Sequence, residues 1–247
     1  MSHVRKSKLV EVRLREHADR LIENPSSMKG SWRDLLLTPE ARLHVDLGCG
    51  KGLWLTRAAE ALPGDVFIGV DNDRTCVSFA VERVGVAGAD NARVVFDSVH
   101  NVSDLFAPEE IDVLHVNFPT PFPRKKETAK RVTAAERLME YRELLAPDGR
   151  LQMKTDSQPL FDFTLDQLAC AGYDVLCLTR DLHGEAESDD REAGFGDGVD
   201  GEAGFIRLGE GAVLPGPFSP EDFILSQYEE KLTAKGARVL ALHAARS

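Results

Sequence analysis

The residues with the most chemistry in their spacing are Asp46-Leu47-Gly48-Cys49-Gly50-Lys51-Gly52. A short apolar run ends in an acid, glycine then takes every second position, and a helical pattern follows (Leu53, Leu55, Ala58, Ala59, Leu62). Glycine lets the backbone adopt positive φ and approach a ligand that a side chain would block. A loop that opens a helix turns free N–H groups and a positive dipole end toward that ligand. Gly48, Gly50 and Gly52 therefore read as a nucleotide-type cradle. The dinucleotide fingerprint is G-x-G-x-x-G, whereas here the spacing is G-x-G-x-G with Asp46 two residues ahead of it. A carboxylate there would repel a pyrophosphate. It suits a cofactor with a positive amino group, such as the methionine part of S-adenosylmethionine, which we read ahead of a nicotinamide cofactor. Asp71 is suited to accept bonds from ribose hydroxyls, and Asp97 with Ser98 stands where an adenine would lie.

A second stretch, Asn117-Phe118-Pro119-Thr120-Pro121-Phe122-Pro123-Arg124-Lys125-Lys126, combines three prolines, two aromatic rings and a basic run. The prolines stiffen it. Phe118 and Phe122 offer flat faces for a base, and Arg124 to Lys126 suit phosphates. The residues alone leave a second reading open, a rigid solvated loop with two core phenylalanines.

The elements that must position these groups follow from hydrophobic period and punctuation. Strands are expected at about 42–47, 66–70, 92–96, 111–116, 150–154, 173–179 and 237–242. Helices are expected at 53–62, 74–84 and 158–170, and from a Thr133-x-x-Glu136 capping box to Leu145. An amphipathic helix is expected over 9–23, and a helix from Ser219-Pro220 to about Lys235. This alternation predicts an α/β fold, a doubly wound, mostly parallel, seven-stranded Rossmann-like sheet. The strand ends carry Asp46, Asp71, Asp97, Asn117 and Asp156, all on the edge where such sheets bind ligands. We read one domain, 1–247, with an N-terminal helical extension (1–40) and a mobile acidic insert (183–216). Trp32, Trp54 and Tyr173 read as packing residues. His44, His115 and His243 read as strand or tail residues, and Cys49 as a small loop residue rather than a nucleophile.

The chain has 247 residues, 43% of them hydrophobic, enough for a substantial core. Its net charge of −11 argues at face value against a nucleic-acid partner. The charge is polarised, however. Residues 181–211 hold ten acids against two arginines, a net of −8, which leaves −3 for the rest. Arg5 to Arg15 and Arg124 to Arg131 are basic. The four cysteines are scattered without a C-x-x-C, which predicts a reducing compartment and no zinc site. With no membrane-length apolar run and no signal-peptide pattern, the expected location is the cytoplasm, without membrane contact.

The chain resembles the bacterial tRNA (guanine-N7)-methyltransferases, which methylate a guanine of the tRNA variable loop (position 46 of the tRNA). The likeness covers nearly all of it outside the acidic insert. It runs through His17-Ala18-Asp19 to Asn24-Pro25-Ser26, Lys29-Gly30-Ser31-Trp32, the glycine loop, Ile68-Gly69-Val70-Asp71 and Asn117-Phe118-Pro119. It continues in Lys154-Thr155-Asp156, Asp181-Leu182-His183 and Ser226-Gln227-Tyr228-Glu229-Glu230-Lys231, the last being unusual among methyltransferases. The resemblance implies a class I methyltransferase fold, S-adenosylmethionine as cofactor, tRNA as partner, and a monomer or homodimer. It implies cofactor contacts from Asp46, Gly48, Gly50, Gly52, Asp71, Asp97, Ser98 and Asn117. Around the guanine it implies Phe122, Arg124, Asp156, Ser226, Tyr228 and Glu229, with Thr120, Asp156 and Glu229 at the reacting base. In the family's loop pattern, Thr120 stands where an Asp is usual, Phe122 where a Trp is, and Arg124 where a Lys is. A methyltransferase that keeps the cofactor site but serves another substrate, or only binds, is the alternative reading.

Overall fold

Strands apolar on both faces are stable only where helices cover both sides, and this chain builds that arrangement around one sheet. The computed structural model describes residues 3–36, 40–184 and 218–247. Its strands are β1 (Leu21–Ile22), β2 (Leu43–Leu47), β3 (Val66–Asp71), β4 (Ala92–Phe96), β5 (Ile111–Asn117), β6 (Leu145–Thr155), β7 (Tyr173–Thr179) and β8 (Leu240–Arg246). They lie in the order β1-β4-β3-β2-β5-β6-β8-β7. Pairing is parallel from β1 to β6, and β8 runs antiparallel between β6 and β7. The helices are α1 (His3–Glu16), α2 (Leu53–Ala61), α3 (Arg74–Ala87), α4 (Val102–Leu105), α5 (Ala135–Leu144), α6 (Gln158–Cys170) and α7 (Gln227–Thr233).

Two apolar clusters give the double winding. On one face, Leu55 and Ala58 of α2 and Val77, Val81 and Val84 of α3 pack on Phe67 and Val94, joined by Val10 and Leu14 of α1. On the other, Leu138 and Tyr141 of α5 and Leu160, Phe161 and Leu168 of α6 pack on β5 and β6. Trp32 is fully buried there, its indole donating to the Leu105 carbonyl at 2.9 Å. Trp54 and Tyr173 are likewise buried. His44 Nδ1 and His115 Nε2 meet at 3.0 Å inside the sheet. Burial first, then the neighbouring charge of His44, holds the His115 imidazole well below its usual pKa. Among the described residues, no helix is long and apolar enough to cross a membrane.

Four local expectations are corrected. The N-terminal helix ends at Glu16, and Leu21 and Ile22 instead pair with Val94 and Val95, so the sheet has eight strands rather than seven. No capping box opens α5, because Thr133 is spent on Thr164 (Oγ1 to Oγ1, 2.8 Å) and the N-cap is Ala134. The single helix expected over 219–235 is a 3-10 turn, Pro220–Phe223, an extended step, and then α7. Lys154 Nζ donates to the carbonyls of Asp222 and Ile224, both at 3.0 Å, and so takes up acceptors a continuous helix would need. The last strand falls at Leu240–Arg246 rather than 237–242, after Gly236 turns at φ +70°. Residues 185–216 of the acidic insert lie outside the described residues.

The chain moves outward from β2 to β3 and β4, then returns to the far side of β2 with β5. That reversal opens a crevice beyond the carboxyl ends of β2 and β5, the place where open α/β sheets bind ligands. Gly69, which pairs with Asp46, keeps the floor of this crevice thin. A Cβ there would lie 2.6 Å from Leu55 Cδ2 and 2.9 Å from Cys49 Sγ. Gly69→Ala is expected to destabilise the protein by about 1–3 kcal/mol. In a thermal unfolding scan this reads as a Tm drop of roughly 2–4 °C per kcal/mol, and an unchanged Tm would show that the loop above Gly69 yields freely.

Candidate functional site at the carboxyl edge of the sheet

Asp46 is the penultimate residue of β2, 2% exposed, and accepts a bond from Asn117 Nδ2 on β5 at 3.2 Å. Burial raises its carboxyl to about 7, offset only in part by the Asn117 bond and the Lys154 charge. Gly48, Gly50 and Gly52 all hold positive φ (+81°, +55° and +70°), as the cradle reading requires. They differ in surroundings. A Cβ on Gly52 would strike Ala80 of α3 at 2.7 Å, so this glycine is needed for helix packing. A Cβ on Gly48 would meet nothing within 4 Å, which leaves open space on the ligand side.

Asp71, at the end of β3, accepts from Gly50 N and from Asp73 N, both at 2.8 Å. It therefore braces the glycine loop as well as lining the crevice. Asp97 turns one oxygen into its own loop, accepting from Ser98 N at 2.6 Å and Asn101 Nδ2 at 2.8 Å. Ser98 Oγ accepts from His100 N at 3.2 Å. Burial raises the Cys49 thiol well above its usual pKa, and the nearby carboxylates raise it further, so it is a poor nucleophile.

Beyond β5 and β6 lies a second group of residues. Asp156 is exposed, and Tyr228 Oη donates to it at 3.1 Å. Burial, and then the Asp156 hydrogen bond and charge, raise the Tyr228 phenol, which keeps it a donor. The Tyr228 ring is half exposed and meets Phe118 edge-on with centroids 5.3 Å apart. Thr120 is exposed, Phe122 is half-buried, and Arg124 is exposed, its side chain making no hydrogen bond or ion pair among the described residues. Lys130 Nζ lies 6.0 Å from the Phe122 centroid.

Ser226 and Glu229 are oriented otherwise. Ser226 is the N-cap of α7, accepting from Glu229 N at 3.1 Å in a reciprocal capping box. Glu229 is fully buried, with Lys154 Nζ at 2.8 Å on one oxygen and His183 Nε2 at 2.8 Å on the other. Burial alone would raise this carboxyl, but the His183 bond and the Lys154 charge outweigh it and hold the pKa below its usual value. Both residues thus hold α7, and with it Tyr228; Glu229 is fully enclosed and Ser226 half-buried.

A family model described as "Putative methyltransferase" matches residues 40–193. The tRNA (guanine-N(7)-)-methyltransferase of Brevibacillus brevis is 35% identical over 173 residues, covering 70% of this chain and 80% of that protein. The chain belongs to the tRNA (guanine-N7)-methyltransferase family. The enzyme of that name from Lactococcus lactis is 28% identical over 94% of this chain and 92% of its own length. Among solved structures, the 16S rRNA methyltransferase KamB matches with a TM-score of 0.56 at 14% identity, over 87% of this chain and 92% of that one, which supports the fold.

The cofactor of this family, S-adenosylmethionine, fits the residues present. The open space at Gly48 gives it room, and the buried Asp46 carboxyl lacks a full counter-charge that an amino group would supply. Lys154 and Arg131 are buried cations that stand in Lys154-Thr155-Asp156 and in the basic run 124–131, and nothing local in either stretch marks a lysine or an arginine as buried.

With Asp46 assigned to the cofactor's amino group, cofactor affinity is expected to depend on pH. Because the Asp46 carboxyl titrates near 7 in the free protein, the ionised form that holds an ammonium is lost as pH falls. Affinity for S-adenosylhomocysteine, which keeps the amino group, should fall about twofold from pH 8 to 7 and then toward tenfold per unit below it. Calorimetric titration at pH 6, 7 and 8 checks this. Asp46→Asn should bind more weakly with a flat profile, and a flat wild-type profile would refute the assignment.

Proposed function

We propose that this protein transfers a methyl group from S-adenosylmethionine to N7 of guanine in tRNA, at position 46 of the variable loop, in the cytoplasm. The observation that carries the reading is the adjacency, on one sheet edge, of the Asp46–Asn117 crevice and the exposed Asp156–Tyr228–Phe118 cluster. Arg124, Lys125 and Lys126 are exposed and make no ion pair among the described residues.

Asp46, Asn117, Asp71 and the glycine loop would hold the cofactor's methionine and ribose, with Asp97 and Ser98 toward the adenine. Bound there, the cofactor supplies a methyl group on a positive sulfonium. Guanine N7 has a free lone pair and no proton to lose, so no side chain need act as a base. The work left to the protein is alignment and a favourable field around the shared positive charge. Asp156 suits the N–H donors of the guanine Watson–Crick edge, and Tyr228 fixes its orientation. Phe118 and Phe122 offer faces for an unstacked base. Arg124, Lys125 and Lys126 suit the phosphates, while Thr120 adds one neutral oxygen at the rim. Ser226 and Glu229 contribute by holding α7. One observation favours the second reading, a related enzyme with another substrate: the exposed Thr120 hydroxyl stands where the family pattern has a carboxylate.

Methyl transfer from labelled cofactor to unmodified tRNA, with the product mapped as N7-methylguanosine, tests the proposal. Asp156→Asn should lower kcat/KM by about 10- to 100-fold, the scale of a hydrogen bond to a charged group. Thr120→Asp should raise turnover. Affinity for tRNA should fall steeply with salt. Absence of transfer by the wild type and by Thr120→Asp alike, with cofactor binding intact, would favour the second reading.

A further inference from the structure

Arg131 is 7% exposed, yet it makes no ion pair among the described residues. Its guanidinium donates from Nε to the Pro121 carbonyl at 2.9 Å and from Nη2 to the Phe122 carbonyl at 3.1 Å. Its central carbon lies 4.3 Å from the centroid of Phe163 on α6. A buried cation is retained only where its surroundings compensate it, and here the compensation is two carbonyls of one loop and an aromatic face.

That loop is strained. Phe118 and Phe122 hold φ of +50° and +40°, the left-handed region that a bulky side chain avoids. Each precedes a proline, which already disfavours the right-handed helical alternative. Pro119 and Pro121 fix their own φ between them. Such a conformation persists only where the surroundings over-determine it. One end is tied by Phe118 N, which donates to the Lys154 carbonyl at 2.8 Å. The other end is tied by Arg131.

We infer that Arg131 is a positioning residue for methyl transfer, a buried clamp that keeps the Phe118–Phe122 turn in its strained shape. It thereby sets Thr120 and the Phe122 ring at the rim of the acceptor site. This rests on the function proposed above for that rim. Lysine cannot replace it, because a compact ammonium lacks both the planar fork that spans two successive carbonyls and the flat face against Phe163. The residue acts through the loop and not on the tRNA phosphates, which the exposed Arg124, Lys125 and Lys126 can reach.

The test compares wild type, Arg131→Lys and Phe163→Leu by steady-state methyl transfer to unmodified tRNA and by backbone hydrogen exchange. Arg131→Lys should lower kcat by up to about 100-fold, the cost of a small misplacement at a reacting centre. KM for tRNA should stay within about twofold, and exchange should quicken over 118–124 alone. Phe163→Leu keeps the charge but removes the ring, and should move both readouts the same way by less. It carries the test if Arg131→Lys does not fold. A raised KM with unchanged kcat would make Arg131 a phosphate contact and overturn the inference, as would unchanged kcat with unchanged exchange. If the wild type methylates no tRNA, the function proposed above fails, while exchange over 118–124 still decides whether the clamp exists.

Discussion

A lysine ammonium enclosed at the end of a central strand dictates how the second half of this protein is assembled. Lys154 Nζ is surrounded by one carboxylate oxygen of Glu229 and the carbonyls of Asp222 and Ile224. Removing either member of a buried pair leaves an uncompensated charge and costs about 3–5 kcal/mol. The segment after the acidic insert must therefore return to β6 whatever the insert does. Glu229 extends the tie, since its other oxygen accepts from His183 at the entrance to that insert. Lys154 and Asp156 are two residues apart on the same strand end. One is buried and grips α7, and the other is exposed and receives the Tyr228 hydroxyl that α7 delivers. The ion pair thus sets α7, and the Tyr228 hydroxyl it carries, beside Asp156.

The cofactor side obeys the opposite electrostatics. Asp46 is buried with a single amide donor, and burial dominates its titration. A carboxyl whose folded pKa lies above its unfolded value favours folding at low pH, and that contribution is lost as pH rises through about 7. The ionised Asp46 carboxylate therefore carries an electrostatic cost in the fold, felt as pH rises through about 7. Glu229 is the reverse case. Its depressed pKa contributes stability above the unfolded carboxylate range, and this is lost on acidification. Two carboxylates near the same sheet edge are thus divided by their partners, one bonded to an amide and one to a lysine and a histidine.

This division explains what the sequence disclosed. The glycine loop, the acids at strand ends and the alternation of β and α elements are local signals, since turn geometry and hydrophobic period are properties of a few neighbouring residues. The glycine loop and the strand-end acids are found where the spacing predicts them, and the elements alternate as expected, though several of their bounds shift, β6 beginning at Leu145 rather than 150. What escaped depends on distant partners. Leu21 and Ile22 continue a helical pattern but find strand β4. The Ser219-to-Lys235 segment has helical propensity throughout, yet Lys154 draws off two of its carbonyls. Thr133 and Glu136 have capping-box spacing, but Thr164 claims the threonine hydroxyl. Glu229 reads as a site carboxylate because its motif is distinctive, and only the buried lysine 75 positions away reveals its structural task.

The substitution at Thr120 must be weighed against the kind of chemistry the site performs. A reaction that abstracts a proton would lose its base with such a change. Alkylation of a ring nitrogen with an exposed lone pair removes no proton, so its rate depends on distance and angle more than on any one carboxylate. On the function proposed above, the acceptor rim keeps a carboxylate in Asp156, hydrogen-bonded by Tyr228, and a loop stiffened by three prolines. Within that loop the shape is held from below by a buried guanidinium, which leaves the rim residue itself freer to vary. A neutral hydroxyl at 120 is then a change in grip on the base rather than the loss of a chemical step, provided the backbone that presents it stays in place.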